Sequence, residues 1–280
     1  MTATLYIIAT PIGNLEDMTY RAVRILGEVD LVAAEDTRHS LKLMTHFGIS
    51  KPLTSYFDHN QQIKGERILN ALRQGKSVAL ISDAGTPCIS DPGYQLVRDA
   101  VSEGISVVPL PGSCAAVTAL SASGMPTDAF TFAGFPPSRQ GKRRTFLSSL
   151  SNLPGTLVMY EAPHRLLDTL NDIRDLLGER VVVVARELTK IFEEFIRGTV
   201  SEVISSVSQT PVRGEVVLLV APGEVSAAEA EPLEKVLLRL MEDESLSIKD
   251  MAKIAAVESG VSRSEAYAEA LRLKNSAEPP

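Results

Sequence analysis

The chain has 280 residues, of which 44% are hydrophobic and 22% charged, with a formal net charge of −7; it is long enough for two or three domains and a substantial core. The acidic balance excludes a protein held to nucleic acid by bulk phosphate attraction, so any such contact must come from a local patch or a shaped pocket. Cys88 and Cys114 are the only cysteines and make no C-x-x-C, which argues against a disulfide framework or a zinc site and for a reducing cytoplasm, and no apolar run approaches the ~18 residues of a membrane span.

The N-terminal stretch MTATLYIIATPIG has no basic segment and reads as a first strand over 4–9 rather than a targeting signal. Further strands are expected at 29–34, 77–82, 105–109, 130–133, 156–160, 181–186 and 215–221, with helices between them at 60–74, 92–103, 113–123 and 163–177. Val/Ile-rich strands alternating with helices predict an α/β fold whose sheets are at least partly parallel. The rhythm breaks at Gly124-Met125-Pro126-Thr127, so a first α/β domain is expected over 1–123 and a second over 124–224. The acidic, Pro-bracketed stretch 222–232 reads as a linker. Beyond it, a helical module over 230–280 is expected from Leu237, Leu238, Leu240, Met251, Ile254, Ala255 and Val257, with Gly260 as a stop. Ser262 is its new N-cap, ahead of Ala266, Tyr267, Ala270 and Leu271 in a helix-turn-helix-like end.

Strand ends in the first domain carry unusual loops: ATPIGN at 9–14, SDAGTP at 82–87 and PLPGSCAA at 109–116. Glycine tolerates positive φ and proline fixes φ, so these are rigid, specialised connections. Asp91 with Pro92 suits a helix start, and Leu110-Pro111-Gly112-Ser113 suits a type II turn into a helix capped by Ser113. In open α/β sheets ligands bind beyond the carboxyl ends of the strands. The absence of any G-x-G weakens an NAD site or an ordinary Rossmann methyltransferase.

These loops resemble those of the tetrapyrrole methylase superfamily (class III methyltransferases). AAEDTR (33–38), DHN (58–60), YEAPHR (160–165), ARELTK (185–190) and FEE (192–194) further resemble one branch of it, whose members methylate the ribose 2′-hydroxyl of a cytidine in the decoding region of 16S rRNA. The resemblance spans roughly 4–221 and implies two α/β domains with an S-adenosylmethionine cleft between them, plus the helical module. It also implies a homodimer that acts on 16S rRNA in the small ribosomal subunit, without metal or membrane. By position in these motifs, the implied cofactor contacts are Pro11, Asp83, Ala84, Gly85, Thr86, Ile89, Cys114, Ala115, Glu161 and Gly198; Thr86 stands where the superfamily has an acid.

A hydroxyl is a weak nucleophile, so a general base is expected; Glu187, Glu161, Lys190 and His164 are candidates. For RNA contact the candidates are the basic run Arg139, Lys142, Arg143 and Arg144, together with Arg38, His59, Arg165 and Arg186, with Phe135 near enough to stack a base. His59 has no partner at metal-ligand spacing. A small-molecule methyltransferase of the same fold and a ligand-sensing helix-turn-helix regulator are the alternatives, and turnover separates the enzymes from the regulator.

Overall fold

The computed structural model describes residues 3–57, 61–91, 93–223, 232–241 and 246–277. The chain divides into two compact units, Met1–Pro222 and Gly223–Pro280. Within the first, β1 (Thr4–Ile8), β2 (Leu31–Ala34), β3 (Leu53–Ser55), β4 (Val78–Ile81) and β5 (Ser106–Leu110) form a parallel sheet in the order β3-β2-β4-β1-β5. Every residue of β4 is buried, because helices cover both faces. Ala79 and Ile81 join the core beneath α1 (Tyr20–Glu28) and α2 (Thr37–His46). Val78 and Leu80 join the opposite core, beneath α3 (Gln61–Arg73) and α4 (Tyr94–Ser102). Because the strands are parallel, the loops after β1, β2, β4 and β5 all emerge at one edge.

A second sheet follows, in the order β6-β7-β10-β8-β9. Its strands are β6 (Phe130–Phe132), β7 (Thr156–Glu161), β8 (Val181–Arg186), β9 (Glu194–Thr199) and β10 (Val216–Val220). Only the β6–β7 pair is parallel; β10 runs antiparallel to β7 and β8, and β9 to β8. One face is covered by α6 (Gln140–Leu150), α7 (Leu166–Leu177) and α8 (Val200–Gln209), with Val216, Leu218 and Val220 in that core. The other face, through Val217 and Leu219, receives α5 (Ala115–Ser123), the helix that follows β5 of the first sheet. Small Ala116 and Ala119 let α5 lie close to the strands. Arg197 of β9 donates to the carbonyls of Ala122 and Ser123 at 2.7 and 3.2 Å, placing a cation on the negative end of the helix.

Several local expectations are corrected. Ser113 does not cap α5: Cys114 holds that position and makes no side-chain cap. Asp91 does not cap α4, whose N-cap is Gly93 at φ 141°; Pro92 lies outside the described residues. Gly112 is not in the left-handed region that a type II turn requires. It is glycine because a Cβ there would lie 2.7 Å from that of Ala9. Short β3 and charged β9 were not expected; both are edge strands with no fully buried residue, so neither carries a buried apolar run.

The second unit is three helices, α9 (Leu233–Met241), α10 (Ile248–Glu258) and α11 (Arg263–Ala277). They pack through Val236, Leu237, Met251, Ala255, Ala266, Ala270 and Leu273. The core line is shifted from the expected one, since Leu238, Tyr267 and Leu271 are exposed. Ser262 accepts from the Glu265 N–H at 3.2 Å, as an N-cap does. Among the described residues no helix is long and apolar enough to cross a membrane.

Candidate active site

The loops after β1 and β4 are stitched together where they leave the first sheet. Thr10 N–H donates to Gly85 O at 2.9 Å and Gly85 N–H returns to Thr10 O at 3.0 Å. Thr10 Oγ1 also donates to Ser82 O at 3.1 Å. Thr86 Oγ1 donates to Ser113 O at 3.0 Å, tying the β4 loop to the β5 loop. Gly85 adopts φ 84°, which a side chain would resist. Cys88 and Ser90 take positive φ without being glycine, as do Glu187 and Thr189 in the β8–β9 loop. Each such residue costs on the order of 1–3 kcal/mol, and such strain concentrates at functional sites.

Two cavities open among these loops. The first, about 420 Å³, has Asp83, Ala84, Gly85, Thr86 and Ile89 of the β4 loop along one side. Cys114 and Ala115 bring in the start of α5, while Leu188, Gly214, Val216 and Val217 come from the second sheet and its loops. Tyr160, also lining it, accepts from the Ala116 N–H at 3.3 Å. Burial pushes its phenol up to about 12. The second cavity, about 470 Å³, lies between the β1 loop (Pro11, Gly13), α2 (His39, Lys42, Leu43) and Lys190. Ile12, Asp83, Ala84 and Glu215 line both cavities.

Of the expected cofactor contacts, Asp83, Ala84, Gly85, Thr86, Ile89, Cys114, Ala115 and Glu161 border the first cavity and Pro11 the second. Gly198 borders neither; it pairs with Val182 along β9, away from the loop edge, and a Cβ there would meet the Glu202 carboxylate.

None of the four candidate bases is a free base at the junction. Glu161 is buried, and its carboxylate accepts from Thr169 Oγ1 at 2.5 Å, Ala162 N–H at 2.7 Å and Arg165 at 2.5 Å. His164 is exposed on the turn after β7 and lines neither cavity. Lys190 Nζ lies 2.9 Å from Glu187 and 3.1 Å from Glu215. Burial lowers its pKa, but these carboxylates outweigh that and hold it raised, so it stays an ammonium. Its hydrogen bond, followed by that of the Glu215 N–H, lowers the pKa of Glu187, and Glu187 lines neither cavity. Asp83, by contrast, accepts only the Asp36 N–H at 3.0 Å among the described residues. Its remaining oxygen is available at the meeting of the two cavities.

The basic run divides. Arg139 and Lys142 are exposed, whereas Arg143 is 3% exposed and bonded to Asp172, so it offers no surface to RNA. Arg144 is engaged by Asp172 and Asp175. Arg165 is bound to Glu161 and the Pro136 carbonyl, Arg186 to Glu194, and exposed Arg38 to Asp36. His59, with Asp58 and Asn60, lies outside the described residues. His39, Lys42 and Leu43 were missed in the sequence because no Gly/Pro signature marks them. The signal available was their place one turn into the helix that follows β2, at the same loop edge.

A model of the tetrapyrrole (corrin/porphyrin) methylases matches residues 4–204. The chain belongs to the tetrapyrrole methylase family. Among proteins similar to this family member, ribosomal RNA small subunit methyltransferase I of Halalkalibacterium halodurans is 51% identical over 231 residues, covering 82% of this chain and 79% of that protein. The protein of the same name from Pseudomonas aeruginosa is 49% identical over 276 residues, covering 96% of this chain and 97% of that protein. Among solved structures, a cobalt precorrin-4 methyltransferase of cobalamin biosynthesis superposes with a TM-score of 0.59 at 17% identity, over 78% of this chain and 94% of that one. That likeness establishes the tetrapyrrole methylase fold.

Proposed function

We propose that this protein uses S-adenosylmethionine to methylate the ribose 2′-hydroxyl of a cytidine in the decoding region of 16S rRNA. The observation that carries the reading is the junction: two cavities of molecular size share Asp83, so a methyl donor in one and an acceptor in the other would meet beside a carboxylate. The names of the relatives matched over most of their length support ribosomal RNA as the acceptor.

The first cavity fits the donor. Its volume of about 420 Å³ lies in the range of small-molecule sites. Ala84, Gly85, Ala115 and Gly214 expose main chain, while Ile12, Ile89, Leu188 and Val217 supply apolar walls for a flat base. Asp83 complements a cationic centre. When bound, S-adenosylmethionine supplies an electrophilic methyl group on a sulfonium. Asp83, fixed through the Asp36 N–H, accepts a hydrogen bond from the acceptor hydroxyl and takes up its proton. The stitched β1 and β4 loops hold that carboxylate in place, which is how positioning lowers a barrier. Lys190, an ammonium on the second cavity's wall, serves binding rather than proton abstraction.

A cytoplasmic homodimer acting on the small ribosomal subunit completes this reading; the family resemblance and two unpaired cysteines support it. The test is transfer from labelled S-adenosylmethionine to small subunits taken from cells lacking the protein, followed by nucleoside analysis. Labelled 2′-O-methylcytidine is expected. Tight cofactor binding with no label in RNA would overturn the RNA assignment and leave a small-molecule acceptor.

A further inference from the structure

The second cavity is electrically lopsided. Asp83 and Glu215 lie where it meets the first cavity, and Lys190 beside them is held by Glu187 and Glu215. The rest of the wall is the β1 loop (Thr10, Pro11, Ile12, Gly13, Leu15), which brings no charged side chain, and α2. There His39 and Lys42, at i and i+3, are neighbours on one exposed helix face. Buried Ser40 and Met44 fix the opposite face of α2 against the core, so this face is held toward the cavity. Lys42 makes no ion pair among the described residues, unlike Arg38 on the same helix, whose charge is satisfied by Asp36.

A nucleotide in this space carries a negative phosphodiester group. Carboxylates at one end repel it and an unpaired ammonium at the other attracts it. We propose that Lys42, assisted by the His39 imidazole, holds the phosphate adjoining the target ribose. This rests on the function proposed above. The contact orients the acceptor, with phosphate toward α2 and ribose hydroxyl toward Asp83. A space of about 470 Å³ is the size of a single small-molecule site. It takes one nucleotide drawn out of its stack, not a duplex. Lys42 and His39 are therefore substrate-positioning residues that leave the cofactor alone.

The experiment measures methyl transfer to small ribosomal subunits across a salt series for wild type, Lys42→Ala, Lys42→Arg and His39→Ala, with calorimetric S-adenosylmethionine binding alongside. Lys42 is solvent-exposed, so these variants fold. Lys42→Ala is expected to raise KM for subunits roughly tenfold, as loss of a charged hydrogen bond does, with kcat and cofactor affinity unchanged. Its salt dependence should be shallower by about one ion, the mark of a lost phosphate contact. Lys42→Arg should keep the wild-type KM and salt slope, and His39→Ala should show a smaller rise in KM. Unchanged KM and salt slope in Lys42→Ala would overturn the assignment, and so would a matching fall in cofactor affinity. If wild type itself leaves the subunits unlabelled, the underlying function fails and the assignment falls with it.

Discussion

Arg143 on α6 donates from Nε to Asp172 on α7 at 2.7 Å, with only 4% and 3% of the two side chains exposed. Asp172 also accepts from Arg144 at 2.8 Å. This pair fastens α6 to α7 above the core of the second sheet. Removing Asp172 leaves Arg143 charged and buried, which costs roughly 3–5 kcal/mol. Asp172→Leu should lose about that much stability in urea unfolding, and Arg143→Met less, because Arg144 still pairs with Asp172. The double variant should lose clearly less than Asp172→Leu, because no buried charge is then left unpaired.

The same pair sets an acid limit. Burial alone would raise the Asp172 pKa, but the hydrogen bonds from Arg143 and Arg144 outweigh it and the carboxyl sits below its ordinary value of 3.8. A depressed folded-state pKa means stabilisation that is fully present above the unfolded value and lost as pH falls through the folded one. The stability gap between wild type and Asp172→Asn should therefore be constant at neutral pH and narrow only below about 3.8. Urea melts at stepped pH check this; a gap already closing near pH 6 would contradict it.

Gly112 and Gly75 separate space from conformation. Gly112 has ordinary φ but no room, with Ala9 Cβ 2.7 Å from the Cβ it would gain, whereas Gly75 has φ 86° and open space. Gly112→Ala should cost about 1–3 kcal/mol by overpacking and should also lower cofactor affinity, because it parts the β1 and β5 loops. Gly75→Ala should cost about 1–2 kcal/mol with cofactor affinity intact. Thermal unfolding and calorimetry read both.

Cys114 reports on the first cavity. It lines that space, while burial, and then Asp91, raise the Cys88 thiol and make it a poor nucleophile. In a Cys88→Ser background, S-adenosylhomocysteine should slow alkylation of Cys114 several-fold. An alkylation rate that ignores the ligand would place the cofactor elsewhere.

Much of this molecule is legible in its sequence, for physical reasons. The strands β4 and β10 are buried on both faces, so they read as unbroken apolar runs. Edge strand β9, EFIRGT, buries little and carries no such signal. The specialised loops announced the cavity through glycines such as Gly85, held at φ 84°, and Gly112, where a Cβ would meet Ala9. Burial and pairing were harder to see. Glu161 reads as a free acid until its donors appear. Arg143 shares the spacing of Leu147 and Leu150 on α6, a hint that it faces inward, yet an arginine in a basic run reads as surface. Lys42 lies on a helix with no distinguishing neighbours, and only folding carries it to the Asp83 cavity.

The most direct measurement is the single-turnover rate of methyl transfer by Asp83→Asn at saturating cofactor, beside wild type. Asparagine keeps an oxygen for the Asp36 N–H, so the loop and the thermal stability should be preserved while the charge is lost. Asp83 as proton acceptor predicts a rate lower by about 10²–10⁴-fold at equal cofactor occupancy. A variant that binds cofactor and transfers the methyl group at the wild-type rate would contradict the assignment of Asp83 and the junction built on it.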